Sequence, residues 1–401
     1  MKVLIIAPYD NITPPQNGGM HRCVNLIDQV SKFAETTVIS FQSTIEWIKY
    51  PFKSIDNIYF ISVEFFKNNN FNWFKKTSKR LYNAIIYRII KRQINSPADI
   101  NIIAYYSHLI KVLKSNEFDF VILENLSSLN AVSIIRRYSS KSKIIYDAHN
   151  FETNLTSIYN KRYKKLIINK EQALHNTVDK VWVCSEIDNQ LFQKANNYNL
   201  NCDIIPNGTI LFPHFPITTD KKYDLLFCGS LDYKPNAEGL IWFIDSCWPF
   251  IKSAKSDCNF IVVGSGNLSF ILSEKLNTDG IIYLGTVDDV SEYYNQTIIS
   301  IVPLLKGSGT RLKILEAMSL GIPVISTSKG AEGIECRDEE NILIADSASE
   351  FTSKILSLLA NEKMRQILIS NANLLVKEKY DWDFIGKKIE KSLQYFGKSF
   401  S

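Results

Sequence analysis

The chain has 401 residues, more than one ordinary domain usually holds, which predicts two or three domains. Hydrophobic residues make up 45% and charged residues 22%, a balance typical of globular proteins and not of disordered ones. The net charge of +5 is too small for a dedicated nucleic-acid-binding protein, so no nucleic acid partner is predicted. Seven scattered cysteines without a CxxC pair disfavour a disulfide scaffold and a zinc site. The cysteines and the lack of any apolar stretch of membrane-spanning length predict a cytoplasmic protein, with the inner face of the membrane as a second location.

The first half of the chain reads as strands separated by helices. Most of its apolar runs are continuous, as expected for parallel strands covered on both faces. Helical stretches between them occupy 20–33 and 161–178. The predicted strands cover 3–7, 37–41, 58–63, 120–123, 144–146, 181–184 and 203–205.

Proline, glycine and asparagine mark a linker at Pro206-Asn207-Gly208 and 213–216, after which the pattern restarts. Helices are predicted at 237–252, 364–378 and 382–395. The strands of this half cover 225–228, 260–263, 281–284, 299–303, 324–326 and 342–345. The sequence therefore predicts an α/β protein with two Rossmann-like, doubly wound parallel-sheet domains facing a cleft. The domains are predicted at 1–207 and 208–380, with a helix in 381–401 that packs back on the first domain.

Two loops that follow strands of the first half are candidate binding sites. Gly18 and Gly19 precede a helix, where backbone N–H groups can approach an anion, although a plain turn explains them equally well. The segment 147–152 gathers Asp, His, Asn and Glu at a strand end. Its His149 can hydrogen-bond a polar substrate, with a structural histidine as the alternative.

Stronger signals follow the strands of the second half. Lys234 stands at a helix start after the strand that ends near Gly229, a pattern that indicates a phosphate pocket. The densest segment is 306–318, where Gly307 and Gly309 open a loop into a helix. Arg311 and Lys313 oppose the dipole of that helix, which a bound diphosphate would explain. Glu316 on the same helix is either a solvated carboxylate or an acceptor for a ribose diol.

A basic stretch without acidic residues runs from 65 to 98 and interleaves lysines and arginines with aromatic side chains. A solvated helix face explains it equally well as a peripheral membrane contact or a seat for a lipid-diphosphate-linked acceptor. The residues named for this face are Lys75, Lys76, Lys79 and Arg80.

Taken in order along the chain, these motifs resemble the retaining glycosyltransferases of family 4, which have the GT-B fold. The resemblance rests on the Gly18-Gly19 loop, Asp147–Asn150, Pro206–Gly208, the block 307–326 and the 330–333 segment. It implies transfer of a sugar from a nucleotide-sugar donor with retained anomeric configuration and without a metal or other cofactor. The donor would bind mainly the second domain, and the acceptor mainly the first.

The resemblance also implies roles for individual residues. Glu316 matches the second of the family's paired glutamates, whereas Ser308 stands where the first would be. Lys234 matches the family's lysine, while Ser230 replaces its arginine, and we hypothesise that Arg311 supplies the missing cation. The implied catalytic residues are His149, Lys234 and Arg311. The implied donor-binding residues are Gly18, Gly19, Gly229, Gly264, Val287, Gly309, Thr310, Leu312, Glu316 and Gly333.

The predicted function is therefore transfer of a sugar to a glycan or lipid-linked saccharide, in cell-surface polysaccharide or glycolipid synthesis. Two alternatives remain at this point. One is a nucleotide-sugar epimerase of the same fold, and the other is a two-lobed protein that binds a sugar or nucleotide without turnover.

Overall fold

The computed structural model describes residues 1–7, 17–40, 58–62, 101–154, 161–211, 221–266, 269–307 and 309–398. The chain divides into two compact units. The first unit comprises Met1–Val183, Asp188–Ile205 and Gly386–Ser401, and the second comprises Cys184–Ile187 and Pro206–Ile385. Whereas the sequence placed the divisions after residues 207 and 380, the structure places them after Ile205 and Ile385 and assigns Cys184–Ile187 to the second unit.

The described part of the first unit contains a parallel sheet in the order β3-β2-β1-β4-β5-β6-β7. Its strands are β1 (Lys2–Ala7), β2 (Glu35–Ser40), β3 (Ile58–Ser62), β4 (Phe120–Glu124), β5 (Lys143–Asp147), β6 (Lys180–Val183) and β7 (Cys202–Ile204). The helices are α1 (Gly18–Ser31), α2 (Asn101–Ser115), α3 (Val132–Tyr138), α4 (Lys161–Gln172), α5 (Leu174–Thr177) and α6 (Glu186–Ala195), with a 3₁₀ helix at Leu126–Ala131.

The second unit contains a parallel sheet in the order β10-β9-β8-β11-β12-β13. Its strands are β8 (Tyr223–Cys228), β9 (Phe260–Val263), β10 (Ile281–Gly285), β11 (Thr297–Val302), β12 (Val324–Ser326) and β13 (Leu343–Ile344). Its helices are α7 (Lys234–Ser246), α8 (Trp248–Ala254), α9 (Phe270–Leu276), α10 (Ser291–Asn295), α11 (Leu312–Ser319), α12 (Ala348–Ala360) and α13 (Glu362–Leu375), followed by a π-helical turn at Val376–Tyr380.

Burial explains why the strands could be read from the sequence. Residues 3–7 of β1 are fully buried, and so are Leu225, Leu226 and Phe227 of β8. Both faces of these central strands are covered, so their runs are apolar throughout, whereas the edge strand β10 exposes Ile282 and Leu284. The predicted fold class, two doubly wound parallel-sheet units, is confirmed.

Three predicted helices differ in the structure. The stretch 237–252 forms two helices, α7 and α8, because Pro249 in the first turn of α8 has no N–H to continue α7. The stretch 161–178 is interrupted at Ala173, between α4 and α5. The helix predicted at 364–378 ends at Leu375 and continues as the π-helical turn. Helix α12 was not identified from the sequence.

The last helix, α14, spans Trp382–Lys398, and the chain division falls inside it at Ile385. Its later residues pack on the first sheet, where the Trp182 indole N–H donates to Ser392 Oγ at 2.9 Å. The rings of Phe120 and Phe396 lie 6.3 Å apart between centroids. No helix in the described part of the chain is long and apolar enough to cross a membrane.

Candidate functional site

Strand order locates the candidate site in each unit. In both sheets the order reverses between two neighbouring strands, β1 and β4 in the first unit and β8 and β11 in the second. Ligands of open parallel sheets bind beyond the carboxyl ends of the strands at such a reversal. The loops after these four strands are therefore where functional side chains should converge.

In the first unit, four charged side chains meet at this edge: Arg22, Glu124, Asp147 and His149. The Arg22 guanidinium donates to both oxygens of Asp147, at 2.5 and 2.8 Å, and to the Ile205 carbonyl at 2.9 Å. His149 Nε2 lies 2.8 Å from Glu124 Oε2 and 3.4 Å from Asp147 Oδ2. Two cations thus face two carboxylates in a buried, mutually neutralising group, which we call the charge quartet.

Electrostatics set the protonation of the charge quartet. Burial lowers the pKa of His149, but hydrogen bonds and charges from Asp147 and Glu124 outweigh it and raise the pKa to about 9. Burial likewise raises the pKa of Asp147, but the Arg22 cation and the hydrogen bonds from His149 and Arg22 bring it down to about 2. Burial and the Asp147 charge raise the pKa of Glu124. At neutral pH His149 is therefore an imidazolium and Asp147 a carboxylate.

Glu124 was not identified as a site residue from the sequence. The available signal was a glutamate that closes an otherwise apolar buried strand, and its side chain is fully buried. Ligand atoms of Glu124, Asp147 and His149 lie within 4.8 Å of one another, close enough to hold a metal ion. Because Arg22 already occupies both oxygens of Asp147, we assign the group as ion pairs.

Gly18 and Gly19 are the first residues of α1. The preceding Asn17 caps the helix, because its Oδ1 accepts the Met20 N–H at 3.1 Å. The loop that carries His149 is held at its other side by Glu171, a buried carboxylate that accepts the N–H groups of residues 152 and 153 at 2.7 and 3.0 Å. The two glycines thus follow β1, a strand of the reversal, whereas His149 follows β5, the neighbour of β4.

In the second unit the strand-end loops approach each other through glycines. The Gly229 N–H donates to Val263 O at 2.9 Å, and the Gly264 N–H donates to Gly285 O at the same distance. A Cβ atom at Gly264 would collide with the Gly229 carbonyl oxygen, so only glycine fits there. Val287 lies just beyond β10, half-buried against the apolar cluster on one face of the sheet.

The segment before α11 brings together several predicted residues. Arg311 is buried, and its Nη1 donates to the Gly309 carbonyl at 2.6 Å. A Cβ atom at Gly307 would lie 2.5 Å from Arg311 Nη2 and 3.0 Å from Tyr233 Oη, so the guanidinium lies near the start of α7. Burial lowers the pKa of Arg311, yet a guanidinium keeps its proton at any physiological pH.

Two hydroxyl side chains, those of Thr310 and Ser185, lie near Gly333. Thr310 Oγ1 is buried and has no hydrogen-bond partner among the described residues. A Cβ atom at Gly333 would lie 3.5 Å from Thr310 Oγ1 and 3.7 Å from Ser185 Oγ. Gly333 has a φ of +85°, which a residue with a side chain rarely adopts. Unsatisfied buried hydroxyls are rare, so this one has the capacity for a further hydrogen bond.

Lys234 and Lys313 have opposite environments. Lys234 is the first residue of α7, its side chain is 83% exposed, and its amine pairs with Glu238 at 3.5 Å. Lys313 lies in the first turn of α11, and its Nζ donates to Asn236 Oδ1 at 3.0 Å. Burial lowers the pKa of Lys313 to about 8. The amine held at the strand ends is therefore that of the half-buried Lys313, whereas the predicted Lys234 points into solvent.

Glu316 lies one turn further along α11, and Leu312 begins the helix with its side chain against the apolar cluster. Burial raises the pKa of Glu316, and the Lys313 charge lowers it. Ser308 and the basic residues Lys75, Lys76, Lys79 and Arg80 lie outside the described residues. The roles assigned to individual residues stay predictions.

Comparison with known proteins identifies this part of the second unit. Residues 222–361 match the family described as Glycosyl transferases group 1. We call this matched region, residues 222–361, the group 1 domain. The group 1 domain contains Gly229 and the segment 306–318, which carries Arg311, Lys313 and Glu316.

Three similar proteins extend this result. An uncharacterized 44.6 kDa protein in the cps region of Klebsiella pneumoniae is 28% identical over 287 residues, 67% of this chain and 70% of that protein. The structure of Anabaena Alr3699/HepE in complex with UDP and glucose has a TM-score of 0.69 at 14% identity, over 98% of this chain and 100% of that one. Sucrose-phosphate synthase from Thermosynechococcus elongatus has a TM-score of 0.71 at 13% identity, over 98% of each chain. These two likenesses show that the GT-B fold is shared.

Proposed function

We propose that the chain is a glycosyltransferase that moves a sugar from a nucleotide-sugar donor to a glycan or lipid-linked saccharide. The observation that carries the proposal is the buried cation Arg311, just before α11 at the strand ends of the group 1 domain. The UDP and glucose bound by the Anabaena protein support a nucleotide-sugar donor. The cps-region origin of the Klebsiella relative supports a role in cell-surface polysaccharide synthesis.

We further propose that transfer retains the anomeric configuration. The bond between the anomeric carbon and the phosphate oxygen breaks, and its electron pair goes to the leaving nucleotide diphosphate. The acceptor hydroxyl oxygen bonds to the same face of the anomeric carbon and gives its proton to a phosphate oxygen. Negative charge therefore develops on the diphosphate, and the chain must stabilise it.

Residues of the second unit can supply that stabilisation without a metal. Arg311 offers a positive charge, and the N-termini of α7 and α11 offer backbone N–H dipoles. The unpartnered Thr310 hydroxyl offers one more donor. Glu316 is proposed to accept hydrogen bonds from the donor ribose. In the first unit, the His149 imidazolium is proposed to orient the acceptor.

The test of Arg311 is nucleotide release in the presence and absence of acceptor. With the donor and a lipid-linked saccharide pool, Arg311→Ala should lower kcat by about 10²-fold, because it removes a charge aimed at the leaving group. Arg337→Ala is the matched control, since its side chain is 76% exposed within the same group 1 domain. An unchanged kcat in Arg311→Ala contradicts the assigned role.

The same assay separates the three predicted functions. Nucleotide release that requires the acceptor supports sugar transfer. Release or sugar isomerisation without acceptor supports the epimerase, and tight binding without any release supports the binding protein. A protein that neither binds nor turns over any of the UDP, GDP, ADP and dTDP sugars contradicts all three.

His149 has its own test. His149→Ala should lose turnover and keep its affinity for the nucleotide diphosphate, because we assign this side chain to the acceptor. Affinity is measured by thermal stabilisation. Ligand binding raises the free energy of unfolding by about 2.7 kcal/mol at a hundredfold excess over Kd. Loss of nucleotide affinity would show that the role is misassigned.

Membrane contact by the basic face at Lys75, Lys76, Lys79 and Arg80 remains a proposal drawn from the sequence. Binding to vesicles rich in anionic lipid should fall when the three lysines and the arginine are replaced by alanine, because each contributes about 1 kcal/mol near such a surface. Undiminished vesicle binding by the fourfold variant would rule the face out as a membrane contact.

A further inference from the structure

The side chain of Lys313 reaches the first strand-end loop of the second sheet. Its Nζ lies 4.6 Å from the centroid of the Phe227 ring, over the last part of β8. A Cβ atom at Gly229 would lie only 2.5 Å from this Nζ. The ammonium group therefore lies at the carboxyl end of β8, beside the strand reversal with β11.

One side chain holds the ammonium there. Asn236 of α7 accepts from Lys313 Nζ through Oδ1 at 3.0 Å, and its Nδ2 donates to the Ser230 carbonyl at 2.7 Å. The same amide thus fixes both the cation and the loop after β8. Within the described residues no carboxylate lies within ion-pair distance of Lys313 Nζ.

The charges around Lys313 do not neutralise it. On its own helix, Glu316 favours the ammonium form and Arg311, just before the helix, disfavours it. From β8 it is faced by the Cys228 thiol, whose pKa burial raises to about 11. From α10 the Tyr294 hydroxyl donates to the Lys313 carbonyl at 3.4 Å, and burial raises the pKa of that hydroxyl well above its usual value. Both groups are neutral at physiological pH.

Lys234 lacks these features. Its amine is in solvent and already paired with Glu238. An exposed amine that is paired and hydrated contributes little to binding, whereas a desolvated one interacts strongly with an anion.

We propose that Lys313, fixed by Asn236 beside Gly229, is the lysine that binds the phosphates of the nucleotide-sugar donor, in the role that the sequence assigned to Lys234. The inference rests on the proposed function, because it presumes a diphosphate ligand in the second unit. It adds a phosphate-binding residue and names the amide that positions it.

The assignment has a consequence that does not depend on turnover. With a pKa of about 8, Lys313 is about half protonated at pH 8 in the free protein. A dianionic phosphate beside it favours the ammonium form. Binding of a nucleoside diphosphate at pH 8 should therefore take up about half a proton per site. The terminal phosphate of the ligand titrates near pH ~6 and contributes little at this pH.

The experiment is calorimetric titration at pH 8 in two buffers of different ionisation enthalpy. UDP, GDP, ADP and dTDP are screened by thermal stabilisation, and the tightest binder is used. Wild type should take up about half a proton, and Lys313→Met should take up none and bind about 10- to 100-fold more weakly. Lys275→Met, at a lysine of α9 that pairs with Asp245, is the matched control and should behave as wild type. Lys234→Met tests the competing assignment that the sequence made.

The outcomes separate the two levels of the argument. A wild-type protein that binds none of the four diphosphates overturns the proposed function and this inference with it. Wild-type binding without proton uptake overturns the inference alone, and it does so without any variant. Loss of affinity and proton uptake in Lys234→Met, with Lys313→Met unchanged, returns the role to Lys234.

Discussion

Replacing Arg22 by methionine removes one cation from the charge quartet and leaves a buried carboxylate behind. Arg22 donates two hydrogen bonds to Asp147 and one to the Ile205 carbonyl, and its side chain is 1% exposed. Methionine fills much of the same volume but provides no donor. In the variant, His149 remains as the one cation of the quartet between the two acids.

The magnitude follows from the burial of the pair. Removing one partner of a buried ion pair typically costs about 3–5 kcal/mol, because the other charge stays desolvated without its counterion. A whole domain is stable by about 5–15 kcal/mol. Arg22→Met should therefore remove a large part of the stability of the first unit. The double variant Arg22→Met/Asp147→Asn should recover part of the loss, because no unpaired carboxylate then remains at position 147.

The assay is urea unfolding monitored by hydrogen exchange of peptides from the first unit, so that any loss of unfolding free energy is assigned to that unit. The matched control is Arg136→Met, also in the first unit, where Arg136 pairs with Asp179 at 2.9 Å but is 38% exposed. An exposed pair of this kind contributes about 0–1 kcal/mol. If Arg22→Met lowers the free energy of unfolding no more than Arg136→Met does, the reasoning on the buried quartet is refuted.

Three further predictions concern both units. Because the pKa of His149 is raised to about 9, its contribution to stability is complete below pH ~6.5 and is lost as pH rises through 9. The urea concentration at the unfolding midpoint of the first unit should therefore fall over this pH range. The fall should be smaller in His149→Gln. Gly264→Ala should weaken nucleotide diphosphate binding and destabilise the second unit, whereas Gly397→Ala, whose Cβ would meet only an ordinary contact at 3.8 Å, should be near neutral by thermal unfolding. Glu171→Gln should speed hydrogen exchange of the N–H groups at 152–153, because these groups donate hydrogen bonds to the carboxylate. Unchanged exchange there would contradict the role of Glu171 in holding the loop.

The fold class could be predicted because central strands such as β1 and β8 are covered on both faces and are therefore largely apolar. Helix ends were less predictable. Residues 237–252 show one continuous apolar stripe, and the local effect of Pro249 on its backbone hydrogen bonds decides where the first helix stops. Periodicity reports which residues face the core, and it does not report where the backbone ladder breaks.

The candidate site was predictable at the level of loops and not of side-chain partners. Lys234 and Lys313 both lie near helix starts in the sequence, but one amine points into solvent and the other lies beside Gly229. Where each amine points depends on how β8 and α11 pack together. The hydrogen bonds between Arg22 and Asp147 join residues that are 125 positions apart in the chain. A single sequence cannot show such a pairing.

The path of the last helix bears on the order in which the protein matures during synthesis. Ile389, Leu393 and Phe396 of α14 are buried, and this part of the helix belongs to the first unit. The ribosome makes them after the entire second unit. The unit begun first can therefore be completed only when residues 386–398 emerge from the exit tunnel, and a nascent chain stalled before residue 386 would present uncovered apolar surface to chaperones and proteases.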